Sequence, residues 1–175
     1  MNKLLQIFPA VVLLIAITSC TSFMAPAPSE ITATYLAVDQ IVPSQTIKDY
    51  LTQKVGASAY GGKVFSAYQI MGTEQSDQVI KLYLWALVQE YYLDQNMLKD
   101  GTGSSVPVVL FIKMQAGSYQ IFDFKDAGEG YQYLTVNFPP EILPQINLPA
   151  EAYNQRVERL SIENSRAAKT YFGLK

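Results

Sequence analysis

Glu90 is the side chain in this 175-residue sequence whose setting most invites acid–base chemistry. It closes the apolar run Tyr83-Leu84-Trp85-Ala86-Leu87-Val88-Gln89 and is followed by Tyr91 and Tyr92. A carboxyl in such surroundings can line a partly buried cleft, with its pKa raised by desolvation. The commoner arrangement is a strand-end charge that reaches water, because carboxylates are rarely buried unpaired. Tyr83, Trp85, Tyr91 and Tyr92 form the densest aromatic group. Core packing on a sheet accounts for such a group, and an aromatic-lined groove for a ligand or peptide is the alternative. Glu90 and these four aromatics are the candidate binding residues.

Other chemistry is poorly provided for. The chain has no histidine and one cysteine, which excludes imidazole bases, His-ligated metals, intramolecular disulfides and multi-Cys clusters. Asp123, Asp126 and Glu129 recur at three-residue intervals, as hard oxygen donors for Ca²⁺ would, but the spacing matches no EF-hand and suits a solvated turn. Gly101-Thr102-Gly103-Ser104-Ser105 lacks the lysine of a phosphate loop and precedes a strand, so it reads as a plain turn. No histidine activates the serines, and nothing in the spacing brings Lys63 or Lys113 to them. No catalytic residue, metal ligand or cofactor is assigned. A hydrolase would have to use paired carboxylates, with Glu90 and Asp123 as the candidates. Thirteen basic against fifteen acidic side chains leave no basic surface for nucleic acid.

The N-terminus is organised for export. Lys3 supplies a short positive region, and Leu4 to Ile17 is almost wholly apolar, too short to span a bilayer. Ile17-Thr18-Ser19-Cys20 then resembles the lipobox of bacterial lipoproteins. That resemblance implies cleavage after Ser19, acylation of the Cys20 sulfur and acylation of the new amine. Two or three acyl chains exceed what stable anchoring needs, so the expected partner is a membrane. The alternatives are a plain secretory signal or an uncleaved N-terminal membrane helix. Thr21 follows the cysteine, where an Asp in enterobacterial lipoproteins favours inner-membrane retention. A two-membrane host would send such a protein to the outer membrane, and a single-membrane host to the outer face of its plasma membrane. Residues 1–19 are thus the signal, 20–30 a lipidated cysteine and Pro-rich tether, and 31–175 one globular domain. The tether, with Pro26 and Pro28, could reach about 30 Å when extended.

Gly61-Gly62-Lys63-Val64-Phe65-Ser66-Ala67-Tyr68, Tyr83–Tyr92 and Gly101–Leu110 resemble segments of a family of uncharacterised bacterial exported or lipoprotein domains. The resemblance covers about residues 60–125, implies an extracytoplasmic domain and carries no activity with it. A non-enzymatic binding or interaction domain is expected, its partner an envelope protein or a small apolar ligand. A structural subunit of an envelope assembly is the further alternative.

The elements that must position these residues follow from periodicity. Ile31–Val42 suits a strand or short helix. After Pro43, Ser44 is the expected N-cap of a helix carrying Ile47, Tyr50, Leu51 and Val55, stopped at Gly56. Val64–Met71 reads as a strand and Thr73–Asp77 as a polar turn. Gln78–Tyr92 fits either a helical stripe or a strand buried on both faces, and its aromatic and β-branched content favours the strand. Asp94-Gln95-Asn96 is a turn, and Asp100–Ser104 a break. Val106–Gln115 and Tyr119–Lys125 form a hairpin across Ala116-Gly117-Ser118, with Pro107 confined to an edge, bulge or strand start. Tyr131–Val136 suits a further short strand, and Glu141–Ile146 one helical turn. From Pro149 a long helix runs on a stripe of Tyr153, Val157, Leu160, Asn164, Ala168 and Tyr171, leaving Arg156 and Arg159 off it. The sum is an α+β domain with a curved antiparallel sheet of about four strands, an N-terminal helix and a long C-terminal helix, resembling cystatin-like or NTF2-like architecture.

Overall fold

Alternation along one long strand organises the molecule. The computed structural model describes residues 41–127 and 131–175. Four strands, β1 (Lys63–Ser76), β2 (Val79–Asp94), β3 (Met97–Gln115) and β4 (Ser118–Asp126), form an antiparallel meander in the order β1-β2-β3-β4. In β2, Ile80, Leu82, Leu84, Ala86 and Val88 face one core, while Tyr83, Trp85 and Leu87 face another. Helix α1 (Ser44–Lys54) covers the first face, burying Ile47 and Leu51 beside Val108, Leu110 and Ile112 of β3. Helix α4 (Ala150–Tyr171) covers the second with Leu160. The short α2 (Tyr131–Asn137) and α3 (Leu143–Ile146) accompany Phe138, Ile142 and Ile146 into that same core. The fold is α+β, as the sequence predicts.

Burial on both faces explains why β2 reads ambiguously: its side chains are apolar at odd and even positions alike. Each fully buried Leu or Ile is worth about 1.5–3 kcal/mol, so a one-residue slip of β2 would exchange two well-matched cores at large cost. Register shifts at Ile70/Gly72, Gln89/Tyr91 and Phe111/Ile112 bend the strands and give the sheet its curvature. Two tight turns lie in the left-handed region, at Gln95-Asn96 (φ 50° and 62°) and Ala116-Gly117 (φ 50° and 82°), as two-residue hairpins require.

Several expectations need correction. Pro43, not Ser44, is the N-cap of α1; no side-chain oxygen caps the helix, and the Ser44 hydroxyl instead receives the Tyr68 hydroxyl at 3.0 Å. Thr73–Ser76 continues β1 rather than turning, because its polar residues pair across the solvated hairpin end, where Glu74 takes Lys81 at 3.0 Å. Asp100–Ser104 is strand as well, held against the long β2 through a bulge. Tyr131–Asn137 is helical, which lets Leu134 and Phe138, one turn apart, both reach the second core. Arg156 lies in the buried stripe of α4 with Leu160, Asn164 and Ala168, whereas Tyr171 is exposed. Pro107 stands where the pairing of β4 ends at Val108, and its carbonyl accepts the Ala127 N–H at 3.2 Å. Residues 1–40, with Cys20, the export signal and the tether, and Glu129 lie outside the described residues. Among the described residues no helix is long and apolar enough to cross a membrane.

Candidate functional site

Glu90 belongs to the even-numbered side of β2 but lies beyond the reach of α1, where the chain from Ala57 to Gly62 crosses over the sheet. Gln89 pairs with Gly103 and Tyr91 with Asp100, so Gly101 and Thr102 together oppose Glu90. This bulge turns the Thr102 N–H (3.3 Å) toward Oε2 of Glu90 and places the Thr102 hydroxyl 3.0 Å from it. The Gln89 amide donates to the carbonyls of Gly101 at 3.0 Å and Thr102 at 3.2 Å, holding the bulge from the other side. The crossing loop supplies the remaining donors. Ser58 Oγ (2.6 Å), Gly62 N (2.8 Å) and Tyr60 N (3.1 Å) reach Oε1, and Ala59 N (3.0 Å) reaches Oε2.

Glu90 is therefore wholly buried, yet no lysine or arginine pairs with it among the described residues. Backbone N–H dipoles and two hydroxyls replace its water. Burial raises its pKa, but the hydrogen bonds from Ser58, Ala59, Gly62 and Thr102 outweigh that and hold the carboxyl well below the usual range. Neither expectation for Glu90 holds: the side chain does not reach water, and its pKa is lowered rather than raised. With both oxygens saturated, it is a positioning residue and no base.

The structure does not assemble the acid–base pair. Asp123 lies opposite Phe111, which lies opposite Lys81. Glu90 is about nine residues further along β2, roughly 30 Å at the usual rise. Asp123 accepts the N–H of its neighbour Phe124 at 2.8 Å. Among the described residues no group of acidic or cysteine side chains is arranged to hold a metal ion.

The four aromatics separate. Tyr83 is core, tilted on Phe138 at 5.8 Å, with its hydroxyl donating to Glu74 at 2.6 Å. Trp85 is core too, edge-on to Tyr153 at 5.6 Å, its indole N–H on Ser105 at 2.9 Å. Tyr91 is buried against Phe65 at 5.9 Å. Tyr92 alone reaches a surface groove, where it stacks on Tyr60 with ring centroids 5.2 Å apart and planes 5° from parallel. The groove, about 270 Å³, is completed by Leu93, Lys63, Tyr171 and Phe172. Phe65, packed on the buried Tyr91, also meets Tyr171 edge-on at 5.8 Å, and Tyr171 packs edge-on to Phe172 at 5.0 Å.

Glu90 and the groove are one arrangement. The carboxylate fixes the backbone of Tyr60 and Gly62, and this sets where the Tyr60 ring meets Tyr92. Gly61 between them has φ +69°, a conformation that favours glycine. Sequence reasoning reached Glu90, Tyr91 and Tyr92 but missed Tyr60, Lys63, Leu93, Tyr171 and Phe172, which come from three distant segments. The available signal was the pair of aromatics beside Gly61-Gly62 and at the end of the last helix. Comparison with known protein families, curated proteins and solved structures finds no match to this chain.

Proposed function

We propose that this protein is a membrane-anchored, extracytoplasmic, non-enzymatic binding domain whose partner docks in the groove between Tyr60, Tyr92 and Tyr171. The observation that carries the reading is the solvent-exposed Tyr60, 60% accessible, held in parallel stacking on Tyr92 by a buried carboxylate. Exposed rings usually sample many rotamers; here the backbone beneath the ring is fixed in advance, which lowers the ordering cost of binding. A groove of about 270 Å³ accommodates one or two side chains. Lys63 at its rim, 5.8 Å from the Tyr171 ring, favours an acidic group beside them. A segment of another envelope protein that inserts an apolar side chain next to a carboxylate fits this chemistry.

The anchoring half of the proposal rests on the lipobox-like Ile17–Cys20, and the extracytoplasmic location on the export signal before it. The resemblance of residues 60–125 to exported bacterial domains agrees with that location. Crosslinking of the full chain in intact bacterial envelopes tests the reading. The expected result is a discrete protein adduct that Tyr92→Ala removes. A small apolar ligand copurifying with the chain in place of an adduct would replace the protein partner. Recovery of no adduct and no ligand would overturn the binding function.

A further inference from the structure

Gln69 stands between two arginines in the place a carboxylate would ordinarily take. Its Oε1 accepts from Arg156 Nε at 3.1 Å and from Arg159 Nη2 at 2.6 Å. Arg156 Nη2 also donates to the Gln145 carbonyl at 2.7 Å, and the guanidinium sits 5.0 Å from the centroid of the Trp85 ring. Arg156 is only 5% exposed, and its buried Nη1 has no hydrogen-bond partner. Neither guanidinium has a carboxylate within 4.0 Å among the described residues.

Buried cations are normally paired, because an uncompensated charge loses its hydration without return. Here the buried Arg156 and the exposed Arg159 lie on one face of α4, three residues apart, and share a neutral amide oxygen. A cavity of about 310 Å³ opens beside them, walled also by Gln145, Leu148 and Gln155. We propose that this cavity is a binding site for a phosphate-type dianion. The unpartnered Nη1 of Arg156 and the remaining N–H groups of Arg159 are donors for phosphate oxygens, and a dianion neutralises both charges where a carboxylate neutralises one. Gln69 then acts as a specificity-determining residue: its amide orients both arginines without cancelling the charge that draws the ligand. The site is separate from the aromatic groove, and neither proposal depends on the other.

The test is calorimetric titration of the full chain carrying Cys20→Ser with inorganic phosphate, at constant ionic strength, beside acetate and chloride. Saturable phosphate binding at one site is expected, with acetate weaker by about tenfold or more. Arg159→Gln and Gln69→Glu should each weaken phosphate binding by about tenfold or more, the second by supplying an internal carboxylate. Arg159 is exposed, so its replacement leaves the circular dichroism unchanged. Without phosphate, Gln69→Glu should raise Tm, an effect that a merely structural amide would not give. Vesicles of phosphatidic acid in phosphatidylcholine, against phosphatidylcholine alone, distinguish the source: preference abolished by Arg159→Gln assigns the phosphate to a lipid headgroup, and no preference to a soluble ester. Absence of saturable phosphate binding, or binding unchanged in both variants, overturns the proposal.

Discussion

Glu90 holds the backbone N–H of Tyr60, thirty residues away in sequence, with both oxygens of one carboxylate, at 3.1 and 3.3 Å. A charge at the end of a core strand thereby fixes the approach of a surface ring. Elimination of this charge is the first perturbation to consider. Glu90→Gln keeps the shape but turns an amide N–H₂ toward donors that need an acceptor. Tm should fall by about 5–10 °C at pH 7, on the scale of a broken buried network. Loop 57–62 should also lose hydrogen-exchange protection before the sheet does.

The same residue sets a pH dependence with a definite sign. Its folded pKa is depressed, so its contribution to stability is complete above the ordinary carboxylate value, about 4.3, and is lost as pH falls through the lower folded value. The Tm difference between wild type and Glu90→Gln should therefore be constant from pH 7 to about pH 5 and narrow below about pH 4. A difference that widens on acidification would contradict the assignment.

Gly101 makes the cradle possible from the opposite strand. A Cβ there would lie 2.6 Å from Oε2 of the buried carboxylate. Gly101→Ala should therefore cost about 1–3 kcal/mol, as overpacking does, in urea denaturation. Gly61→Ala meets no atom within 4 Å and bears only its left-handed backbone, so about 1–2 kcal/mol is expected. The two variants differ in kind: only Gly101→Ala should abolish the added effect of Glu90→Gln when the two are combined.

How far the sequence carries this picture depends on locality. Strand β4, α1, α4 and the turns at Gln95-Asn96 and Ala116-Gly117 were legible because alternation, helical spacing and turn chemistry are local. By contrast β2, apolar at odd and even positions alike, was favoured as a strand over a helix only by its aromatic and β-branched content. The Tyr131–Asn137 helix was not, since its aromatic and β-branched residues suit a strand until Leu134 and Phe138 find a core. Glu90 was legible as a residue of interest, but its role was not. Its partners come from residues 58–62 and from a bulge at 101–102, and no spacing announces a backbone cradle. Arg156 was misplaced for a similar reason: a buried guanidinium follows from Gln69, Gln145 and Trp85, none of them near in sequence.

Lys48 and Glu163 join α1 to α4 at 2.5 Å, outside the open edge of β1. Both side chains are partly exposed, so the pair should be worth less than about 1 kcal/mol and weaken with salt. Lys48→Met should leave the Tm within about 2 °C while increasing concentration-dependent self-association, read by light scattering, because a flanked edge strand becomes accessible.

Cys20→Ser tests the anchor. Replacing sulfur by oxygen should abolish labelling by an alkynyl fatty acid and move the chain from the membrane fraction to precursor or soluble protein. Unchanged fractionation with retained label would contradict lipidation at this residue.

The central claim is that the Glu90-held groove is where a partner docks, and site-specific photo-crosslinking addresses it most directly. A photoreactive phenylalanine is placed in the full chain at Tyr60, at Tyr171 or at Val136, which is 82% exposed beside the opposite end of the sheet. In bacterial envelopes, adducts are predicted from positions 60 and 171, not from 136, and Glu90→Gln should remove the adduct from 60. Equal adducts from all three positions, or none from 60 and 171, would contradict the account.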